Sequence, residues 1–175
     1  MRTFMGYQRT FCDCPECSLN CQYIPGYLLP EDLTRIAAFH GVDLNPLLDW
    51  QHQDNTFHQF VLEDLLASPG ALVLKGGKPC RIPTLVPARN NGWCKFFDGR
   101  HCIIHQVAPF GCAFFDAHQT QDLSNVISAK GLTIIAKLWE QDPTSLYCQI
   151  WNDLYRKGMR APSPEVCRQR MRNHK

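Results

Sequence analysis

Apolar residues recur at helical spacing along several stretches of the chain. Leu33, Ile36 and Ala37 form one stripe behind Pro30-Glu31-Asp32, a proline followed by acids that suits a first helical turn, and His40-Gly41 supplies a stop. Asn45-Pro46 reads as a second helix start. Phe57, Phe60, Val61 and Leu65 repeat at helical spacing until Ser68-Pro69-Gly70 ends the segment, with WQHQDN between as loop or continued helix. Leu123, Val126, Ile127, Ile134, Ile135, Leu138 and Trp139 predict a long helix with Gly131 as its weak point. After Asp142-Pro143-Thr144, Leu146, Tyr147, Ile150, Trp151, Leu154 and Tyr155 carry the same period to Gly158, and the two helices are expected to pack as core.

The alternative period is confined to short pieces. ALVL at 71–74, the Gly76-Gly77 turn and KPCRIPTLVP read as a strand, a turn and an irregular, proline-interrupted second strand at an edge. Asp98-Gly99 between WCKFF and RHCII predicts a hairpin, and Pro109-Phe110-Gly111 predicts a turn. The fold class expected is therefore α+β: a single helix-rich domain with a small β-hairpin layer around a cysteine-rich metal site.

Composition narrows this reading. With 175 residues and 45% hydrophobic content the chain fits one domain with a sizeable core, and it shows no low-complexity tract or fixed repeat. Three parts are expected within it: a cysteine-rich metal-binding part at 11–116, a helical part at 120–158 and a basic C-terminal tail at 159–175. A formal charge of +2 does not demand nucleic acid or membrane as partner, although Arg156 to Lys175 carries seven basic residues and a single acid, Glu165. A solvated tail is the plain reading of that segment. The N-terminus lacks an apolar run suited to a signal peptide, and no segment reaches the ~20 apolar residues of a membrane span, so a cytoplasmic protein is expected.

Ten cysteines then need a reason. In a reducing compartment, clustered thiols bind metal or do redox chemistry more often than they form disulfides. Cys12, Cys14, Cys17 and Cys21 follow C-x-C-x2-C-x3-C. Cys12 and Cys14 point the same way in an extended segment, whereas Cys17 and Cys21 share one face of a helical turn. Cys94, Cys102 and Cys112 lie in the aromatic run WCKFFDGRHCIIHQVAPFGCAFFD, where the hairpin and turn converge their sulfurs. His105 is a further candidate ligand, and Asp116 and His118 are candidates for supporting or additional ligand roles. The other histidines suit surface or structural roles, and Cys80, Cys148 and Cys167 read as non-ligands. Thiolates in such numbers suit zinc or an iron–sulfur cluster, and seven cysteines with His105 fill either one centre with spare thiols or two four-ligand sites.

The same residues resemble a known family. The N-terminal cysteine cluster ahead of a helix, then Cys94, Cys102-Ile103-Ile104-His105, Ala108-Pro109-Phe110-Gly111-Cys112 and Phe115, is similar to the CxxCxxCC family of zinc- or iron-chelating domains, also called YkgJ-like. Departures are specific: His105 stands for a tyrosine, Ala108 for an arginine, Asp116 for a proline, Cys12 is additional, and Leu19-Asn20 separate Cys21 from the doubled position. The resemblance covers about residues 11–116 and implies metal chelation without implying a reaction. Phosphate loops, G-x-S-x-G elbows and H-E-x-x-H pairs are absent. The expected function is thus a cysteine-ligated zinc or iron–sulfur centre, structural or redox in role. The alternatives are an iron–sulfur oxidoreductase or enzyme-maturation partner, and a zinc-ordered nucleic-acid-binding module. Partners are the metal or cluster and a redox or protein partner, with nucleic acid not expected.

Overall fold

The computed structural model describes residues 3–12 and 14–174. Met1, Arg2, Asp13 and Lys175 lie outside them, so the reading of the extreme N-terminus and of the last basic residue falls partly outside the described chain. A short ladder, β1 (Thr3–Phe4) against β2 (Tyr7–Gln8), leads into α1 (Pro15–Tyr23), whose first turn holds Pro15 and Glu16. The stripe Leu33, Ile36 and Ala37 is buried in α2 (Pro30–Phe39), where Asp32 turns back so that its carboxylate accepts the Leu29 N–H at 2.8 Å. These contacts satisfy a donor that the first helical turn would otherwise orphan.

The next helix starts later and ends earlier than the periodicity predicts. Asn45-Pro46 makes a turn, and α3 (Asn55–Asp64) begins only where the Asp54 carboxylate caps the Thr56 N–H at 2.6 Å. Trp50–His52 is a single 3-10 turn. Beyond Asp64 the chain becomes extended as β3 (Leu65–Ser68), because those four residues find a buried partner strand. That partner is β6 (Thr84–Pro87), all four of whose positions are buried. KPCRIPTLVP is therefore two strands rather than one irregular strand. β4 (Leu72–Lys75) pairs with β5 (Lys78–Arg81) as an exposed hairpin around Gly76-Gly77, and only β6 turns inward. On the other side of β3, Ala67 exchanges hydrogen bonds with Met159 and Ala161, so the segment after Gly158 lies alongside it.

The expected hairpin at Asp98-Gly99 is thinner than its sequence suggests. β7 (Arg89–Asn90) pairs with β8 (Trp93–Cys94) through an Asn91-Gly92 turn, and around Asp98-Gly99 the pairing reduces to a Phe97–Cys102 bridge flanked by backbone bonds. The Pro109 turn continues as a single-turn helix, α4 (Phe110–Ala113). Two longer helices follow, α5 (Gln121–Gln141) and α6 (Leu146–Arg156), capped by Thr120 and Ser145; of the predicted stripes Ile127, Ile135, Tyr147, Ile150 and Leu154 are buried, whereas Leu123, Val126 and Tyr155 are exposed. The basic segment is not a solvated tail along its length: Pro164–Arg172 forms α7, which packs on α1 and buries Cys167.

These elements make an α+β fold with helices around small antiparallel pairs. One continuous core joins Leu28, Phe57, Leu65, Leu85, Ile104, Phe110, Ile127, Ile135, Tyr147 and Ile150. Tyr147 fixes its centre. Its fully buried hydroxyl donates to the Leu28 carbonyl and accepts the Leu85 N–H, both at 2.8 Å, and burial keeps it a neutral phenol. Among the described residues no helix is long and apolar enough to cross a membrane.

Candidate metal centre

Three threads meet beside the N-terminal half of α1. The first is the extended segment after β2, strapped to the chain around α4: the Thr10 N–H donates to the Ala113 carbonyl at 2.8 Å, its hydroxyl to Asp116 at 3.0 Å, and Arg9 to the His105 carbonyl at 2.9 Å. The second is the start of α1, and the third is the loop after α4, shaped by Asp116 accepting the His118 N–H at 2.8 Å. This strapping carries Cys12 and Cys14 past Cys17 and up to His118.

The ligand atoms of Cys12, Cys14, Cys17 and His118 all lie within 4.8 Å of one another, a group that could hold a metal ion. A tetrahedral zinc with sulfurs at about 2.3 Å separates its ligands by about 3.8 Å, so small side-chain rotations suffice to close the set. The His118 Nε2 lies 3.3 Å from the Cys14 sulfur, and the Ala117 N–H donates to the Cys17 sulfur at 3.3 Å. Electrostatics within the group is graded. The Cys14 N–H, together with the neighbouring thiols, lowers the pKa of Cys12, while burial pushes Cys17 up to about 12. The hydrogen bond to Cys14 raises that of His118. Metal binding must therefore displace protons, most of all from Cys17.

Cys21, one turn further along α1, faces a different set. It interacts electrostatically with Cys102 and Cys112, and Cys94 with all three of those sulfurs, from the three sides formed by α1, the β8 segment and α4. Burial, followed by the mutual charge of these thiols, raises Cys21, Cys94 and Cys102 to about 11 and Cys112 well above its ordinary value. The seven cysteines named from the sequence thus fall into two sets joined by α1, with Cys17 and Cys21 on its one face serving one set each.

A cavity of about 390 Å³ opens between the sets, lined by Cys12, Cys17, Cys21, Cys102, Cys112 and His105 among others. His105 reaches this cavity and packs against Phe11, with ring centroids 6.0 Å apart, but its nitrogens are not in the close ligand group. The nitrogen in that group comes from His118, which sequence reasoning left among supporting candidates. Its sequence signal was limited to lying six residues beyond Cys112, since the strap that brings it to Cys12 depends on Thr10 and Asp116. Cys80 and Cys148 belong to neither set. The larger cavity, about 650 Å³, lies between the β4–β5 hairpin and α5, with Cys80 as its sole thiol.

Arg89 is the other residue that sequence reasoning missed. Its guanidinium donates to the Gly92 and Tyr23 carbonyls and to the Cys167 sulfur at 2.9 Å, and its charge partly opposes the rise that burial imposes on Cys94. All ten cysteines are free thiols. Compared with models of known protein families, with curated proteins and with solved structures, the chain matches none.

Proposed function

We propose that this is a metal-binding protein whose Cys12, Cys14, Cys17 and His118 hold a zinc ion with a structural role. The observation that carries the reading is the mutual approach of four ligand atoms, within 4.8 Å, from two segments far apart in sequence. Three sulfurs and one imidazole nitrogen make one of the common closed, four-coordinate zinc sets, with no position left open for a substrate. An ion bound there ties the N-terminal strap and the start of α1 to the loop after α4. The zinc supplies binding free energy that becomes folding free energy, because the ligands are gathered only in the folded chain. Free thiols throughout suit a reducing compartment such as the cytoplasm.

Similarity to the YkgJ-like family in its cysteine pattern supports chelation as the activity. The experiment is zinc analysis of protein purified without chelator. About one zinc per chain at the site is expected, reduced by about one equivalent in His118→Ala and in Cys14→Ser. Unchanged zinc in both variants contradicts the assignment.

A further inference from the structure

Two thiols of the close group stand in a relation that holding a metal does not require. Cys14, Pro15, Glu16 and Cys17 form a C-x-x-C segment across the first turn of α1, with Cys14 immediately before the helix and Cys17 within it. Three residues along a helix rise about 4.5 Å. The α-carbons of a disulfide stand about 4.4 to 6.8 Å apart, so the backbone already holds this pair near bridging distance. Their sulfurs lie within 4.8 Å of each other, and side-chain rotation can close the remaining gap.

The pair is also asymmetric in access. Cys14 is half-buried and its neighbours Pro15, Glu16 and His118 are exposed, whereas Cys17 is 5% exposed. A reagent arriving from solvent therefore meets Cys14 first. Two proton acceptors stand beside that sulfur: Cys14 Sγ donates to Glu16 Oε2 at 3.1 Å, and His118 Nε2 lies 3.3 Å away. A thiol in contact with an imidazole is the usual arrangement of an activated sulfur nucleophile. Cys17 is placed to act second, its sulfur held in the group by the Ala117 N–H at 3.3 Å.

We propose that Cys14 and Cys17 are a thiol–disulfide exchange couple, Cys14 attacking and Cys17 resolving, whose oxidant is a small-molecule disulfide. The Cys14 thiolate attacks one sulfur of that disulfide; a mixed S–S bond forms, the original one breaks, and half of the small molecule leaves as a thiolate that takes up the Cys14 proton. Cys17 then attacks the Cys14 sulfur. The Cys14–Cys17 bond forms, the mixed bond breaks, and the second half leaves with the Cys17 proton. Two electrons have passed from the protein to the small molecule, which ends as two thiols. The consequence for zinc rests on the assignment of the ion to these same residues. A bonded pair withdraws two of the four ligands, so oxidation releases the ion and reduction readmits it; the leaving thiolates then take their protons from solvent, because ligated cysteines are already ionised.

The test begins with the full chain, reduced and verified metal-free, in mixtures of reduced and oxidised glutathione, followed by acid quenching, alkylation and peptide mapping. A Cys14–Cys17 bond is expected in the wild type and in Cys12→Ser, and a glutathione adduct trapped on Cys14 in Cys17→Ser. A wild-type chain in which both thiols stay free, or in which Cys12 is bonded to either of them, overturns the couple. So does a Cys17→Ser variant with its adducts on other cysteines and none on Cys14. Zinc-loaded chain is then given oxidised glutathione with a chromogenic zinc indicator. About one zinc per chain is expected to appear as the bond forms and to return to the protein on reduction. Zinc retained beside a mapped Cys14–Cys17 bond removes the zinc assignment and leaves the couple standing. Zinc bound by a chain that forms no such bond when metal-free overturns the couple and leaves the zinc assignment. Zinc retained with both thiols unoxidised, where the metal-free chain does form the bond, overturns the link between oxidation and release.

Discussion

Asp32 shows how much of the second thiol set depends on one side chain that is not in it. Its buried carboxylate accepts the N–H groups of Leu29 and Phe110, at 2.8 and 2.7 Å, and pairs with Arg35, which in turn donates to the Ala108 carbonyl at 3.0 Å. Burial raises the pKa of Asp32, and the Arg35 charge and the two N–H groups oppose that rise. The carboxylate thereby seats the turn that presents Cys112. Asp32→Ala would leave two buried N–H groups and a guanidinium uncompensated, a loss of about 3 to 5 kcal/mol. Denaturant titration should show a lower midpoint, with Asp32→Asn intermediate because its amide oxygen can still accept both N–H groups, which share one carboxylate oxygen, while the charge pair with Arg35 is lost. Nothing in the residue pattern announced this: Asp32 read as a first-turn acid, and its partner Phe110 is too remote in sequence to be inferred. The cysteines themselves were legible, whereas their partition was not, since it turns on the path of the Thr10 strap and on the side of α1 each thiol meets.

At the scale of elements, α2, α5 and α6 were legible because their stripes are long and amphipathic, and the core confirms Ile127, Ile135, Ile150 and Leu154 as inward positions. The stretch LLAS was not. Its helical spacing with Phe57 and Val61 suggested continuation, but hydrogen bonding to β6 wins where a buried strand can be completed on both sides. Gly131 was legible as a weak point for the wrong reason. It is where α5 approaches the turn that carries Cys112: a Cβ there would stand 2.3 Å from Phe110 Cε1 and 2.4 Å from Tyr27 Oη. Helix propensity alone predicts that Gly131→Ala stabilises α5 by up to about 1 kcal/mol. Overpacking against the fully buried Phe110 costs about 1 to 3 kcal/mol and should win. A melting curve decides the sign, and a higher Tm in the variant contradicts the close packing described here.

For the whole molecule, metal and proton compete for the same sulfurs. Zinc at a thousandfold excess over its Kd stabilises the folded chain by about 4 kcal/mol. For a chain of this size that corresponds to about 8 to 16 °C in Tm, so chelation should lower the melting temperature by that order and zinc should restore it. An unchanged Tm after verified metal removal contradicts a structural role. The metal-free, reduced protein should also respond to alkali. Burial raises Cys21, Cys94 and Cys102 from 9.0 to about 11, so between these values the folded chain keeps protons that the unfolded chain has lost. Their contribution to stability is complete below pH 9 and is lost as pH rises through about 11. These three thiols lie outside the zinc set, so zinc-loaded protein should keep this decline; thermal melts of the reduced protein between pH 8 and about 11 measure it.

The central claim is that the N-terminal cysteines and the loop after α4 share one ion. Zinc-edge X-ray absorption on protein purified without chelator reads that coordination shell directly. Three sulfurs at about 2.3 Å and one nitrogen at about 2.0 Å are predicted, with the nitrogen signal lost or replaced in His118→Ala. A shell of four sulfurs, or of oxygen and nitrogen alone, would contradict the assignment of Cys12, Cys14, Cys17 and His118 to a common zinc.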